Sequence, residues 1–296
     1  MNTQAKRLRE IINRPGAAIS VGVWDPFSAR VAEQEGFDIL TLFGSLLSFS
    51  MIGTTDYGYI TQTEMVDAAR RMVQAVSVPV VVDCDDGFGD PANVRRTVKL
   101  LEQVGAAGMY LEDLKRPLRC SALGGGSLVP PAEMEQKVRA AIDARSDPDF
   151  FLMARTDDYE GVDDVIARAD RYGRAGIDMV LAIGLTRVED MEKMGKAATV
   201  PLATIQAPST KMPMVAPADL EAMGYKMIYY VPTLFTPAAM AMRDAARQLK
   251  KDLEDRTRVP RTVPGLTMAE VEGMVGLEED IRLQERYSAT GQAVGS

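Results

Sequence analysis

The chain has 296 residues, 46% of them hydrophobic, and 42 acidic against 34 basic side chains give it a net charge of −8. That length buries one large core or two modest ones, and the negative balance weighs against nucleic acid or an anionic membrane surface as the main partner. The complete absence of histidine excludes a Ser-His-Asp triad, a Cys-His pair and a histidine zinc site, so proton transfer falls to Cys, carboxylate, Lys, Tyr or bound water.

In chain order, residues 3–13 read as an amphipathic helix, stopped by Arg14-Pro15-Gly16. Strand-like runs follow at 19–23, 39–43, 78–82, 107–111, 150–154, 179–183, 200–205 and 226–231. Helical spacing occupies the intervals at 27–34, 63–74, 92–104, 131–144, 162–174, 188–194 and 217–223, and a long helix covers 237–253. Gly44 onward, through Gly58, reads as a loop. Eight strands alternating with helices predict right-handed crossovers and a parallel sheet. Eight units in this length predict a (β/α)8 TIM barrel, with a doubly wound sheet as the alternative. The barrel domain is expected over 1–258. A C-terminal helical arm is expected over 259–296, with amphipathic helix at 268–287 and no strand to pack on. Such an arm suits exchange between subunits, so a homo-oligomer is expected. No apolar run is long enough to cross a bilayer. Cys84 and Cys120 make no disulfide framework, which points to a reducing cytoplasm.

The stretch 78–89, VPVVVDCDDGFG, carries the strongest chemical signal. A run of Val reads as a strand buried on both faces, then breaks into Asp83, Asp85 and Asp86. Residues two apart on an extended chain share a side, so Asp83 and Asp85 point together. Carboxylates at the mouth of a buried strand need a cation or donors, and a few of them without an EF-hand pattern suit Mg2+ before Ca2+. Asp90 followed by Pro91 reads as a helix N-cap. A barrel of this kind gathers its site at the C-terminal strand ends. There stand Gly44, Ser45 and Asp56 after strand two, Asp83 and Asp85 after three, Glu112 after four, Arg155 after five and Thr204 after seven. Acids beside a guanidinium suit an anionic, oxygen-rich substrate such as a 2-oxo or 2-hydroxy carboxylate. Pairing of Arg155 with Asp157 as scaffold is the competing reading. Cys120, preceded by Arg116 and Arg119 and followed by Gly124-Gly125-Gly126, sits where nearby cations lower a thiol pKa and glycines loosen a loop.

Taken together these residues resemble the isocitrate lyase/phosphoenolpyruvate mutase superfamily, nearest the branch with methylisocitrate lyase, dimethylmalate lyase and oxaloacetate decarboxylase. The likeness runs from about residue 22 to 237. DCDDGFG resembles its D-A-D-x-G-[YF]-G metal loop, YLED its I-E-D, DPDFFLMARTDD its D-P-D-F-x-x-x-A-R-T-D-A stretch, and LRCS stands where K-[KR]-C-G-H does. The resemblance implies a (β/α)8 barrel with a swapped C-terminal helix, assembled as a dimer of dimers, and Mg2+ or Mn2+ acting on small carboxylate substrates. By position Asp85 would ligate the metal directly, with Asp83, Glu112 and Asp56 acting on it through water. Arg155 would hold a substrate carboxylate, Gly44 and Ser45 would offer amides to an enolate oxygen, and Cys120 would be the general acid. The chain departs from the pattern at Phe43, Ala122, Ile183 and Thr204, where relatives carry a serine, a histidine, a glutamate and an asparagine; the resemblance implies that the last two bind a second carboxylate product. The expected activity is a Mg2+-dependent carbon–carbon lyase on a 2-hydroxy or 2-oxo di- or tricarboxylate. The alternatives are an oxaloacetate-type decarboxylase and a barrel reduced to metabolite binding.

Overall fold

The structure is a computed structural model that describes residues 2–120, 124–208, 210–257, 259–260 and 264–292. Ala122 therefore lies outside the described residues. The eight strands are β1 (Ala18–Val23), β2 (Leu40–Leu42), β3 (Val80–Asp83), β4 (Gly108–Glu112), β5 (Phe151–Asp157), β6 (Met179–Ile183), β7 (Leu202–Gln206) and β8 (Tyr225–Tyr230). They pair in sequence order, all parallel, and β1 closes on β8 to complete a barrel. The helices between them are α2 (Pro26–Gln34), α4 (Gln62–Ala75), α5 (Pro91–Val104), α6 (Pro131–Ala144), α7 (Val162–Ala175), α8 (Val188–Ala197) and α9 (Pro217–Ala222), with α1 (Thr3–Ile12) ahead of β1.

Alternation along the strands sorts the side chains into two cores. Val80, Val82, Met109, Leu111, Leu152, Ala154, Val180 and Ala182 face the helices. Val81, Tyr110, Phe151, Met153, Met179, Leu181, Ala203, Met227 and Tyr229 fill the barrel. Phe43, Tyr110 and Tyr229 form an aromatic plug inside it, with ring centroids 5.8–6.4 Å apart; such pairs contribute about 1 kcal/mol each beyond their burial. Gly22 on β1 makes the room, since a Cβ there would stand 3.1 Å from the Phe43 ring.

Local signals fix several helix starts. Asp90 caps α5, accepting from the Ala92 and Asn93 amides at 2.8 and 3.1 Å with Pro91 in the first turn. Thr61 and Glu64 form a capping box on α4, as Asp25 and Ser28 do on α2. The segment after β2 differs from its expectation as a loop. It is a short helix, α3 (Gly44–Leu47), running into a π-helical turn over Ser48–Ile52. With Gly at its start, no side-chain cap and serines at 45, 48 and 50 among its apolar residues, it carries none of the usual helix signals. β5 is also longer than the sequence implied, because Thr156 and Asp157 keep pairing with Ala182 and Ile183 of β6.

Two compact units divide the chain, Met1–Thr236 and Pro237–Ser296, so most of the long helix α10 (Phe235–Asp252) goes with the C-terminal unit rather than with a barrel domain ending at 258. That unit also holds α11 (Met268–Met274) and α12 (Leu277–Gln292). Among the described residues no helix is long and apolar enough to cross a membrane.

Candidate active site

The inward row of each strand, followed to its C-terminal end, reaches one mouth. Asp83 ends β3, Glu112 ends β4, and Arg155 and Asp157 end β5. The register sets Glu112 beside Arg155 and Asp83 beside Tyr110. A cavity of about 180 Å³ opens there, bounded by Ser45, Asp56, Asp83, Cys120 and Arg155 on one side. Phe43, Leu46, Phe49, Ile183, Ile205 and Met212 are among the apolar residues that complete it. Larger hollows, such as one of about 680 Å³ beside α8 and α9, are shallow, lie outside the barrel and hold none of these acids.

The turn after β3 is tightly specified. Asp85 and Phe88 adopt left-handed backbone conformations (φ 47° and 62°), a departure that clusters at functional sites. Gly87 is required, because a Cβ there would lie 2.4 Å from Val94. Asp83 is held by two amides: Gly44 N–H donates to its Oδ2 at 3.0 Å and Asp85 N–H to its Oδ1 at 3.2 Å. A Cβ on Gly44 would stand 3.1 Å from Asp85 Oδ1 and 3.3 Å from Asp83 Oδ2, so the carboxylates pack closely against this glycine. Asp85 Oδ2 is buried with no hydrogen-bond partner. Burial, then Asp83, then Asp56 lift the Asp85 pKa well above the carboxylate range. Burial, reinforced by Asp83 and opposed by Arg155, lifts Asp56 to about 6.

Arg155 is buried between two acids. Its Nε and Nη2 donate to Asp157 at 2.8 and 3.1 Å, and its Nη1 lies 2.7 Å from Glu112 Oε2. Burial works against its charge, but Asp157 and Glu112 outweigh it and keep the guanidinium protonated far above its ordinary range. These bonds use three of its five N–H donors, and the side chain still reaches the cavity. The scaffold pairing with Asp157 and a ligand-facing role therefore coexist.

Two expectations are corrected by this geometry, at Gly44 and at Thr204. Gly44 does not present a spare amide, because Asp83 takes it; Ser45 is the one of the pair that lines the cavity. Glu112 keeps its place at the strand end, paired with Arg155 through Oε2. Thr204 does not reach the cavity: it pairs with the outward-facing Ile228 on β8, and the next residue, Ile205, takes the inward position. Two residues escaped the sequence reading. Lys137 on α6 is buried and donates to the Asp86 carbonyl at 2.8 Å; its place three residues after buried Met134 was the available signal. Tyr159 donates its hydroxyl to the carbonyls of Arg119 and Gly125, and nothing in the sequence marked it.

Among the described residues no three acidic or cysteine side chains form a ready-made ligand cage. The donor set nevertheless fits Mg2+, which binds through one or two carboxylates and keeps several waters. Asp85 offers the bare oxygen, and Asp56 and Asp83 crowd negative charge near it.

A closed parallel barrel with acids and an arginine at the C-terminal strand ends is the architecture of a barrel enzyme. A family model described as phosphoenolpyruvate phosphomutase matches residues 8–250. A 2,3-dimethylmalate lyase from Eubacterium barkeri is 36% identical over 296 residues, covering 99% of this chain and all of the relative. A solved 2,3-dimethylmalate lyase aligns with a TM-score of 0.88 at 30% identity, over 97% of this chain and 96% of that one. An oxaloacetate decarboxylase from Bradyrhizobium diazoefficiens is 32% identical, covering 95% of each chain. A phosphonopyruvate hydrolase solved with oxalate and Mg2+ aligns with a TM-score of 0.82 at 25% identity, over 96% of this chain and 99% of that one. The chain belongs to the PEP mutase/isocitrate lyase superfamily.

Proposed function

We propose that this protein is a Mg2+-dependent carbon–carbon lyase acting on a 2-hydroxy dicarboxylate of the malate type. The observation that carries this reading is one small cavity where Asp56, Asp83, Arg155 and Cys120 meet, with Asp83 bonded to the amide of Asp85, whose own buried Oδ2 has no partner. Asp85 would hold the ion directly, with Asp83 and Asp56 reaching it through water. When bound, Mg2+ would supply a Lewis acid that makes the 2-hydroxyl acidic, so that its proton passes to Asp56 as the 2-oxo group forms and the electron pair of the broken bond leaves with the other carbon. Arg155 grips a substrate carboxylate with its two remaining N–H donors. Cys120, lining the same cavity, delivers a proton to the carbon that leaves. The apolar residues keep water out and accept alkyl substituents, which supports a substrate without a third carboxylate.

The same apolar wall supports a second reading, a 2-oxo acid decarboxylase, because carbon dioxide needs no charged product site. A screen of substituted malates and of oxaloacetate, with and without Mg2+, decides between them. Keto-acid release from alkylmalates supports the lyase; pyruvate from oxaloacetate alone supports the decarboxylase; no product from any, together with no Mg2+ binding, overturns both. Exposed apolar residues on the C-terminal unit, Val259, Leu266, Met268 and Tyr287 among them, support an arm that packs on a second copy. Two cysteines outside any disulfide suit a reducing cytoplasm.

A further inference from the structure

Arg116 belongs to the loop after β4, between Glu112 and Cys120. Its Nε and Nη2 donate to the two carboxylate oxygens of Asp86 at 2.9 and 2.6 Å. Its Nη1 donates to the Gly58 carbonyl at 3.0 Å. One guanidinium therefore joins three segments: its own loop, which carries Cys120; the turn at 83–89, which carries Asp83 and Asp85; and the stretch at 53–60, which carries Asp56. Asp86 is buried, and Lys137 secures it from α6, with Nζ 3.9 Å from the carboxylate and hydrogen-bonded to the carbonyl. Gly58 leaves the space that Arg116 needs, since a Cβ there would stand 2.8 Å from Nη1. Arg116, Asp86 and Gly58 do not line the cavity.

We propose that Arg116 is a positioning residue that sets the placement of Asp56 against Asp83 and Asp85, acting through Asp86 and Gly58. The proposal rests on the reading of those acids as the metal side of the site. A planar fork is needed for the task, because one donor group must span both oxygens of a carboxylate and still reach a carbonyl. Lysine, a point charge on a flexible stem, satisfies one of these contacts at a time. Arginine therefore has a geometric role here that charge alone does not fill.

The test uses Arg116→Met, Arg116→Lys and Gly58→Ala in the full chain. The readouts are hydrogen exchange of peptides spanning 53–60 and 83–89, calorimetric titration with Mg2+ alone, and kcat and KM separately. Arg116→Met is expected to raise exchange in both peptides and to weaken Mg2+ binding at least about tenfold, the usual cost of removing a group that orients a metal ligand. It should lower kcat more than it raises KM. Gly58→Ala should reproduce the change at 53–60 although every charge is retained, and Arg116→Lys should recover only part of the loss. Arg116→Met with exchange raised only in its own loop, and Mg2+ affinity within about twofold of the parent, overturns the proposal. A parent chain that binds no Mg2+ sinks the functional reading instead, and the exchange pattern then decides alone whether Arg116 ties the segments together.

Discussion

The two walls of the barrel mouth come from equivalent strand positions and end in opposite chemistry. On β3 to β5 the inward row closes with Asp83, Glu112, Arg155 and Asp157; on β6 and β7 it closes with Ile183 and Ile205. The first wall holds more negative charge than its guanidinium balances, and one carboxylate oxygen there is bare. The second wall has no charge to offer an anion, so a carboxylate pressed against it would lose its water without compensation. The difference separates two tasks. One wall performs the chemistry at a cost to stability, and the other selects the substrate by excluding charge.

The sharpest way to break this contrast is at Asp85. Asp85→Asn should lower turnover by at least roughly a thousandfold, comparable to removing a principal electrostatic stabiliser, and should abolish the heat of Mg2+ titration. Its thermal midpoint in the absence of metal should hold or rise, because burial, Asp83 and Asp56 all disfavour the Asp85 charge. A clear fall in the midpoint would mean that Asp85 is scaffold. Cys120→Ser should cost about 10²- to 10⁴-fold in kcat while oxalate and Mg2+ bind as before; undiminished turnover would remove the thiol from the chemistry.

Glu112 and its neighbour Asp113 sharpen the comparison from inside the polar wall. Asp113 points outward, where Oδ2 accepts from Thr156 at 2.9 Å, Arg168 at 3.1 Å and Tyr172 at 2.7 Å. Asp113→Ala leaves Arg168 with Asp164 as its remaining acid but strips Thr156 and Tyr172 of their buried acceptor, and should cost about 1–3 kcal/mol of stability. Denaturant titration measures that loss, and the folded fraction should keep its KM. A KM shift larger than the stability loss would place Asp113 in the site.

This pair also shows what the sequence could and could not disclose. Eight apolar runs with helices between them made the barrel legible, and the DCDDGFG and ARTDD stretches made the acidic wall legible. Which face a residue takes was not legible where strands are apolar throughout, because such runs lack the polar alternation that marks a face. That is why the sequence pattern puts Thr204 in the site and passes over Ile205. Hydrogen bonds made at a distance in sequence were equally hidden: nothing local announces that the Gly44 amide serves Asp83, or that Arg116 reaches Gly58.

The apolar wall yields the next smaller effect. Ile183→Arg should lower kcat/KM for an alkylmalate about 10- to 100-fold, the scale on which a hydrophobic pocket discriminates. It should raise kcat/KM for the analogue with a carboxylate on the same carbon. Equal losses on both substrates would show that Ile183 supports the fold rather than the choice of substrate.

The smallest effect is in pH, and it belongs to the polar wall alone. Burial raises Asp56 from its ordinary 3.8 to about 6, and burial likewise raises Asp113 to about 6 against the pull of Tyr172 and Arg168. Between about pH 4 and 6 the folded chain keeps protons that the unfolded chain releases, so these two acids contribute stability at low pH that is lost as pH rises through 6. The metal-free thermal midpoint should carry a downward component from pH 5 to 7, and Asp56→Asn should remove the Asp56 share while leaving that of Asp113. Mg2+ competes with the same protons, so its affinity should rise over this interval in the parent chain and less steeply in Asp56→Asn. An identical slope in both chains would show that Asp56 already carries its charge below pH 5 and stands in water rather than against Asp83.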